Sequence, residues 1–301
     1  MMLFLEQHFL EPERRKQAEF AVVGAGLMGA TIAEMLRSCG LTGVLLDDPS
    51  PSNEPGTRAC GGLIKPSPLS GLSSEQTNKS LAILDRFFGL HPETLIIRPS
   101  GNLIKANVQA VNMDHIFAVP RTPALVHRVH SGVLQYLDQK DRIVELESPL
   151  IVVAAGPGTL NLFPQLRSCL VVKRGFSFHM KGRVAQGFVK FWAPYKQVTV
   201  HNTRFEGEKI VWAGEGSALR LENWYRGRIR EGLARVRKEL PEKEYPLIRT
   251  VTGLRLFHHH RKPCFVEKMD KGLYVVTAAG KFGLISAGYA AMEVAKHERL
   301  A

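Results

Sequence analysis

The sequence predicts an α/β protein in which a Rossmann-like, dinucleotide-binding domain is joined to a second, mainly antiparallel-sheet substrate domain. Three observations carry that expectation. The run Phe20-Ala-Val-Val-Gly24-Ala25-Gly26-Leu27-Met28-Gly29-Ala30 reads as a buried strand, a glycine turn and the start of a helix. A second strand, Val44-Leu-Leu, ends on Asp47-Asp48, with Asp47 eighteen residues past Gly29. From 169 to 214 the pattern is mostly short strands.

In the first of these, each glycine has its own task. Gly24 permits the tight turn, Gly26 lets the backbone approach a pyrophosphate, and Gly29 lets the helix lie close to the strand. The helix opening near Leu27 offers its N–H groups and positive dipole end to the phosphates. Asp47 stands where an acidic side chain accepts hydrogen bonds from an adenosine ribose.

Composition narrows the class. The chain has 301 residues, 45% of them hydrophobic and 8% aromatic, which suits about two soluble domains. No apolar run approaches the ~20 residues of a membrane span. The first ten residues are apolar but lack the flanks of a secretory signal, and read as a short amphipathic helix. Cys39, Cys60, Cys169 and Cys264 are scattered without CxxC spacing, which fits free thiols in a reducing cytoplasm and no zinc site. Residues 1–150 carry a net charge of −2 and residues 151–301 a net charge of +14. A basic half is the footprint of a polyanion partner, with a solvated basic surface as the alternative.

Taken in order, Gly40 stops the first helix and 49–57 is a loop by composition. In Arg58-Ala59-Cys60-Gly61-Gly62-Leu63-Ile64-Lys65-Pro66, two glycines interrupt an apolar run, so the backbone there lies against something flat or bends sharply. Residues 73–88 form a helix with a Ser cap and Gly89 as its stop. Strands follow from 94 to 119. Residues 122–137 read as a helix with Thr122 as N-cap and Pro123 in the first turn. Residues 149–160 are a buried strand running into the turn at Gly156 and Gly158. Residues 221–240 are a helix with Ile229, Leu233, Val236 and Leu240 on its apolar stripe and arginines elsewhere. After Arg255, His258, His259 and His260 point to alternate sides of an extended segment and cannot easily share a metal ion. A final strand and helix run from 272 to about 297.

Four blocks in this order resemble the FAD-dependent D-amino-acid oxidase-like family, which includes glycine and sarcosine oxidases and the FAD domain of the tRNA wobble-uridine modification enzyme. They are Gly24–Gly29 with Asp47; Arg58-Ala-Cys-Gly-Gly-Leu-Ile-Lys-Pro; Ile151-Val-Val-Ala-Ala-Gly156 with Lys173-Arg-Gly175; and Gly253-Leu-Arg255 with Lys262-Pro263 and Ala279-Gly280-Lys-Phe-Gly283-Leu. The resemblance implies FAD and a discontinuous FAD-binding domain (1–90, 120–170 and 250–301), with 91–119 and 171–249 as the substrate domain. It implies cofactor contacts from Gly24, Ala25, Gly26, Leu27, Met28, Gly29, Asp47 and Asp48. Further contacts fall to Arg58, Ala59, Cys60, Gly61, Gly62 and Leu63 beside the flavin, to Ala155 and Gly156, and to Gly280, Lys281, Phe282, Gly283 and Leu284 at the last helix.

Arg255 matches the family's carboxylate-binding arginine, with a structural salt bridge as the alternative. The 280–283 loop is shorter than in glycine-oxidising relatives and lacks their second arginine. Lys281 or Lys65 then stands in as a cation or assists oxygen activation, and His259 is a candidate acid/base or phosphate contact.

The chain is short for the family, which implies an open site that admits a larger substrate. With Trp192, Trp212 and Trp224 interleaved with cations in the basic half, the first expectation is oxidative removal of a carboxymethyl unit from a glycine-type amine on a nucleic-acid base. DNA stands ahead of RNA there, as in phage thymine-hypermodification enzymes. The alternatives are an oxidase of a free amino acid or small amine, and a non-catalytic FAD- or nucleic-acid-binding protein.

Overall fold

A computed structural model describes residues 11–50, 56–57, 59–64, 71–98, 103–193, 196–215, 219–220, 227–260, 264–277 and 279–300. The expected N-terminal helix, Arg58, Lys65 and Trp224 lie outside them.

A six-stranded sheet holds the strand that leads into the glycine turn. Its strands run in the order Phe265–Asp270, Leu273–Thr277, Leu150–Val153, Phe20–Val23, Gly43–Asp47, Thr122–Pro123. All neighbours are parallel except the first pair. Phe20–Val23 and Leu150–Val153 are buried throughout because both sheet faces are covered, which is why they read as continuous apolar runs. Phe20 and Val22 pack under the helices Leu27–Ser38 and Gly283–His297. Ala21 and Val23 face the other way, onto Leu134, Tyr136, Val144 and Leu146 from a four-stranded sheet of Arg14–Gln17, Leu125–His130, Val133–Leu137 and Ile143–Glu147. The chain passes from Phe20–Val23 to Gly43–Asp47 on one side and returns as Leu150–Val153 on the other. That switch point opens a crevice at the carboxyl ends of the strands.

A nine-stranded sheet stands beside it. Leu247–His258 pairs antiparallel with Leu170–Met180, which is followed by Glu208–Glu215, Lys196–Phe205, Gly187–Ala193, Leu90–Arg98, Ile104–Val111 and Leu63–Ile64; Leu219–Arg220 also pairs with Leu170–Met180. The two faces differ in kind. Phe176, Phe178, Val198, Val200, Val211 and Ala213 form an apolar face closed by Val236 and Leu240, at and beyond the end of the helix Gly227–Arg237. The alternate positions are polar: Ser177, His179, Thr199, His201 and Trp212.

Two expectations meet the structure directly. The helix Ser74–Phe88 begins with a capping box, Ser73 Oγ accepting from Gln76 N–H and Gln76 accepting from Ser73 N–H, and it ends at Gly89. The helix expected over 122–137 is instead three strands, Thr122–Pro123, Leu125–His130 and Val133–Leu137. Pro123 has no N–H to donate, and it sits at the end of an edge strand, opposite Asp47, as readily as in a first helical turn. Gly132, at φ +82°, turns the chain into a hairpin at the middle of the stretch.

Candidate active site

The glycine turn is shaped by contacts that only glycine allows. Gly24 has φ +99°, and a Cβ there would lie 2.6 Å from the carbonyl oxygen of Ala154. A Cβ on Gly29 would lie 1.8 Å from the Gly24 carbonyl oxygen, so this glycine sets how closely the helix approaches the turn. Gly26 is different: a Cβ there would meet only Thr57 Oγ1, at 3.0 Å, and would otherwise project into the cleft. Leu27 N–H donates to Thr57 Oγ1 at 2.9 Å. The helix has Gly26 as N-cap, with no side-chain cap and no acidic residue in its first turn. Its first turn therefore sets no carboxylate of its own against the positive end.

Asp47 closes the strand Gly43–Asp47 and faces the cleft beside Asp48. Its Oδ2 accepts from Arg121 Nη1 at 3.2 Å. Arg121 also donates to the carbonyl oxygens of Ala25 at 3.3 Å, Ile116 at 3.0 Å, Phe117 at 2.8 Å and Val119 at 3.3 Å. One guanidinium thus ties the acidic strand end to the glycine turn. Asp48 Oδ1 accepts from Ser50 N–H at 2.8 Å and shapes the turn that follows.

The cleft continues past Ala59, Cys60, Gly61 and Leu63 on one wall and Ala155 and Gly156 on another, enclosing about 540 Å³. The flat partner that the paired glycines call for is present in the chain itself. A Cβ on Gly61 would lie 2.6 Å from Trp212 Cδ2 and 2.6 Å from His201 Nε2, and a Cβ on Gly214 would lie 2.2 Å from Trp212 Cη2. The indole is held between two bare backbones. Gly62, at φ +78°, supplies the bend as well, and its carbonyl accepts from Val111 N–H at 3.0 Å.

At the far end, Gly280 (φ +52°) rests on the Phe257 ring, where a Cβ would lie 2.6 Å from Cε1. Gly280, Phe282, Gly283 and Leu284 line the cleft. The helix Gly283–His297 starts there with no side-chain cap and no acid in its first turn. The N-termini of two helices therefore face one continuous crevice, neither carrying an acid in its first turn.

Arg255 projects into the same crevice from the strand Leu247–His258. Burial pulls its guanidinium pKa down, and the neighbouring Cys60 acts in the opposite direction. Burial pushes the Cys60 thiol up, with the Gly62 backbone and Arg255 opposing. Among the described residues no carboxylate pairs with Arg255, so no structural salt bridge is seen there.

Other candidates fall elsewhere. His259 is exposed in the turn after its strand, its N–H donating to the Cys169 carbonyl at 2.9 Å, and the structure does not bring it to the cleft. His258 is buried and stacks on Phe265. The backbone of Lys281 lies in the short turn Gly280–Phe282, between two residues that line the cleft. Among the described residues no three His, Cys, Asp or Glu side chains cluster as metal ligands. The helical arginines are largely engaged at home: Arg228 and Arg235 with Glu231, and Arg237 with Glu242.

Sequence reasoning missed Thr57, Arg121, Gln197 and Thr199. Thr57 and Arg121 sit in loops with no periodicity to mark them, and Gln197 and Thr199 line the cleft from a strand.

Among the described residues no helix is long and apolar enough to cross a membrane. No protein-family model and no curated protein sequence matches the chain. Solved structures do. Glycine oxidase from Bacillus cereus ATCC 14579 superposes with a TM-score of 0.68 at 15% identity, covering 94% of this chain and 95% of that one. Iminodiacetate oxidase from Chelativorans sp. BNC1 gives 0.64 at 15% identity, covering 92% and 94%. An FAD-dependent oxidoreductase from Pseudomonas aeruginosa gives 0.65 at 14% identity, covering 97% and 93%. Over nearly its whole length, the chain has the fold of these oxidases and of this FAD-dependent oxidoreductase.

Proposed function

We propose that the chain is an FAD-dependent oxidoreductase acting on the C–N bond of a free amino acid or small amine. The observation that carries this reading is the continuity of one crevice, with a glycine-turn cradle at one end and, at the other, the guanidinium of Arg255, with which no carboxylate among the described residues pairs. The residues fit the cofactor. Gly26 leaves room that a side chain would fill, the positive end of the helix Leu27–Ser38 favours a pyrophosphate, and Asp47 lies where a ribose would be held. The N-terminus of Gly283–His297 favours negative charge on the ring system.

When bound, FAD supplies the hydride acceptor; the protein supplies binding, orientation and electrostatics. Arg255 holds a substrate carboxylate through two parallel hydrogen bonds, which fixes where the α-carbon lies. Trp212, clamped between Gly61 and Gly214, lines the crevice together with Thr199 and Gln197, and such walls would limit water.

The similar structures, a glycine oxidase and an iminodiacetate oxidase, support a free amine as substrate. They lend nothing to a nucleic-acid base as the amine carrier, which was the first expectation from sequence. The test is anaerobic addition of glycine, sarcosine, iminodiacetate and proline to the purified yellow protein. Bleaching of the flavin absorbance by one of them supports the reading. A colourless protein that takes up no added FAD overturns the cofactor assignment. A yellow protein that no amine bleaches leaves a binder in place of an enzyme.

A further inference from the structure

We propose that a second cavity, distinct from the cofactor crevice, docks the phosphodiester backbone of a nucleic acid. The cavity measures about 990 Å³ and shares no lining residue with the crevice. It opens where two strands of the large sheet splay. Gly187–Ala193 separates Leu90–Arg98 from Lys196–Phe205, but its pairing with the former begins only at Gly187 opposite Leu95, and residues 182–186 loop across the gap.

The lining changes character along one face of Lys196–Phe205. Val198 and Val200 are buried in the apolar core. Further along that face, Asn202 and Arg204 reach the cavity, and Lys209 stands directly opposite Arg204 in the register. Like charges opposed across an antiparallel pair, with Cβ atoms about 4.5–5.5 Å apart, repel and destabilise the pair. Arg183 adds a third cation from the loop.

That loop is held in place. Asn202 Oδ1 accepts from Val184 N–H at 3.0 Å, and Asn202 Nδ2 donates to the Val184 carbonyl at 2.8 Å. The clamp ties the segment carrying Arg183 to the strand carrying Arg204. Among the described residues, the side chains of Arg183, Arg204 and Lys209 have no ion pair. The one carboxylate among the described lining residues, Glu93, faces His91 Nε2 at 3.6 Å.

Three exposed cations on a fixed frame call for an anion. The described lining offers few apolar anchors besides Leu90, Ala185 and Ile210, whereas a protein partner needs buried aromatic or aliphatic hot spots. Charge, with Thr94, Gln186 and Thr203 as hydrogen-bonding neighbours, is what sugar–phosphate contacts use. The chain's net charge of +12 adds long-range attraction for a polyanion. This site does not depend on the flavin reading.

The test is fluorescence anisotropy of end-labelled duplex DNA, single-stranded DNA and RNA of one sequence, titrated with the intact protein across a salt series. Two charge-matched variants are compared. One carries Arg183→Gln, Arg204→Gln and Lys209→Gln; the other carries Lys140→Gln, Lys243→Gln and Lys271→Gln at exposed positions elsewhere. The first should lower the log–log salt slope by roughly 2 to 3, at about 0.7–0.9 per phosphate contact, and the second should lower it far less. The steepest probe identifies the nucleic acid. Equal slopes for the two variants would mean diffuse attraction to a basic surface and would overturn the site, as would absence of wild-type binding to all three probes at low salt. If the first variant loses its cooperative melt, the three single variants decide, each expected to remove about 0.7–0.9 from the slope.

Discussion

Arg121 and Asp47 are joined at 3.2 Å across 74 residues of sequence, and the same guanidinium reaches the carbonyl of Ala25 in the glycine turn. The acid proposed to hold a ribose is thus positioned by a loop residue that also reaches the glycine turn. Arg121→Ala should lower affinity for FAD by about tenfold or more, since a lost hydrogen bond to a charged group costs about 1.5–3 kcal/mol. Flavin retained after ultrafiltration measures this. Undiminished retention would show that the pair has no part in the site.

Arg255 faces the cleft without a carboxylate partner among the described residues. Arg255→Ala should raise KM for a carboxylated amine by about ten- to a hundredfold, as expected for a charge-assisted bond worth about 1.5–3 kcal/mol, and leave an amine without a carboxylate little affected. Steady-state kinetics on matched substrates decide it. An equal loss on both would make Arg255 a structural residue.

The Trp212 indole lies between Gly61 and Gly214. Gly61→Ala places a methyl 2.6 Å from both Trp212 and His201, and overpacking of this kind costs about 1–3 kcal/mol. Thermal melts should show the loss, and adding Trp212→Leu should restore much of it. Without that rescue, the clash lies with His201 instead.

His179 is fully buried, and its pKa is lowered from 6.5 to about 4, first by burial and then by the adjacent Arg249, with Glu206 opposing. Arg249 Nε–H donates to Nδ1 at 3.2 Å, which requires the neutral ring. The unfolded chain therefore binds a proton between pH 6.5 and about 4 that the folded one does not. Stability from this group is complete above pH 6.5 and falls as pH drops toward about 4, by on the order of 3 kcal/mol at most. His179→Gln should flatten the denaturation midpoint over that window. An unchanged pH slope would assign acid sensitivity elsewhere.

Much of this architecture is legible in the chain itself. Phe20–Gly29 announces strand, turn and helix because the positive φ of Gly24 and the approach of Gly29 to the Gly24 carbonyl are demands of the turn itself. The Ser73 box is equally local, since its partners lie three residues apart. The stretch from Thr122 to Leu137 reads as a helix but folds as strands because a proline near a threonine suits both a helix start and an edge strand, and the partner Asp47 distinguishes them.

The strand, glycine turn and helix of 20–38, the buried parallel strands and the basic balance of the second half follow from residue type and near neighbours. Tertiary structure alone decided that Arg121 serves Asp47, that Thr57 meets the first N–H of the helix, that Trp212 fills the space over Gly61, and that Arg204 and Lys209 share a cavity with Arg183. Those relationships join residues about 20 to 150 positions apart, where neither periodicity nor propensity carries information. They come into being only when sheet order and register bring distant strands and loops to the same crevice.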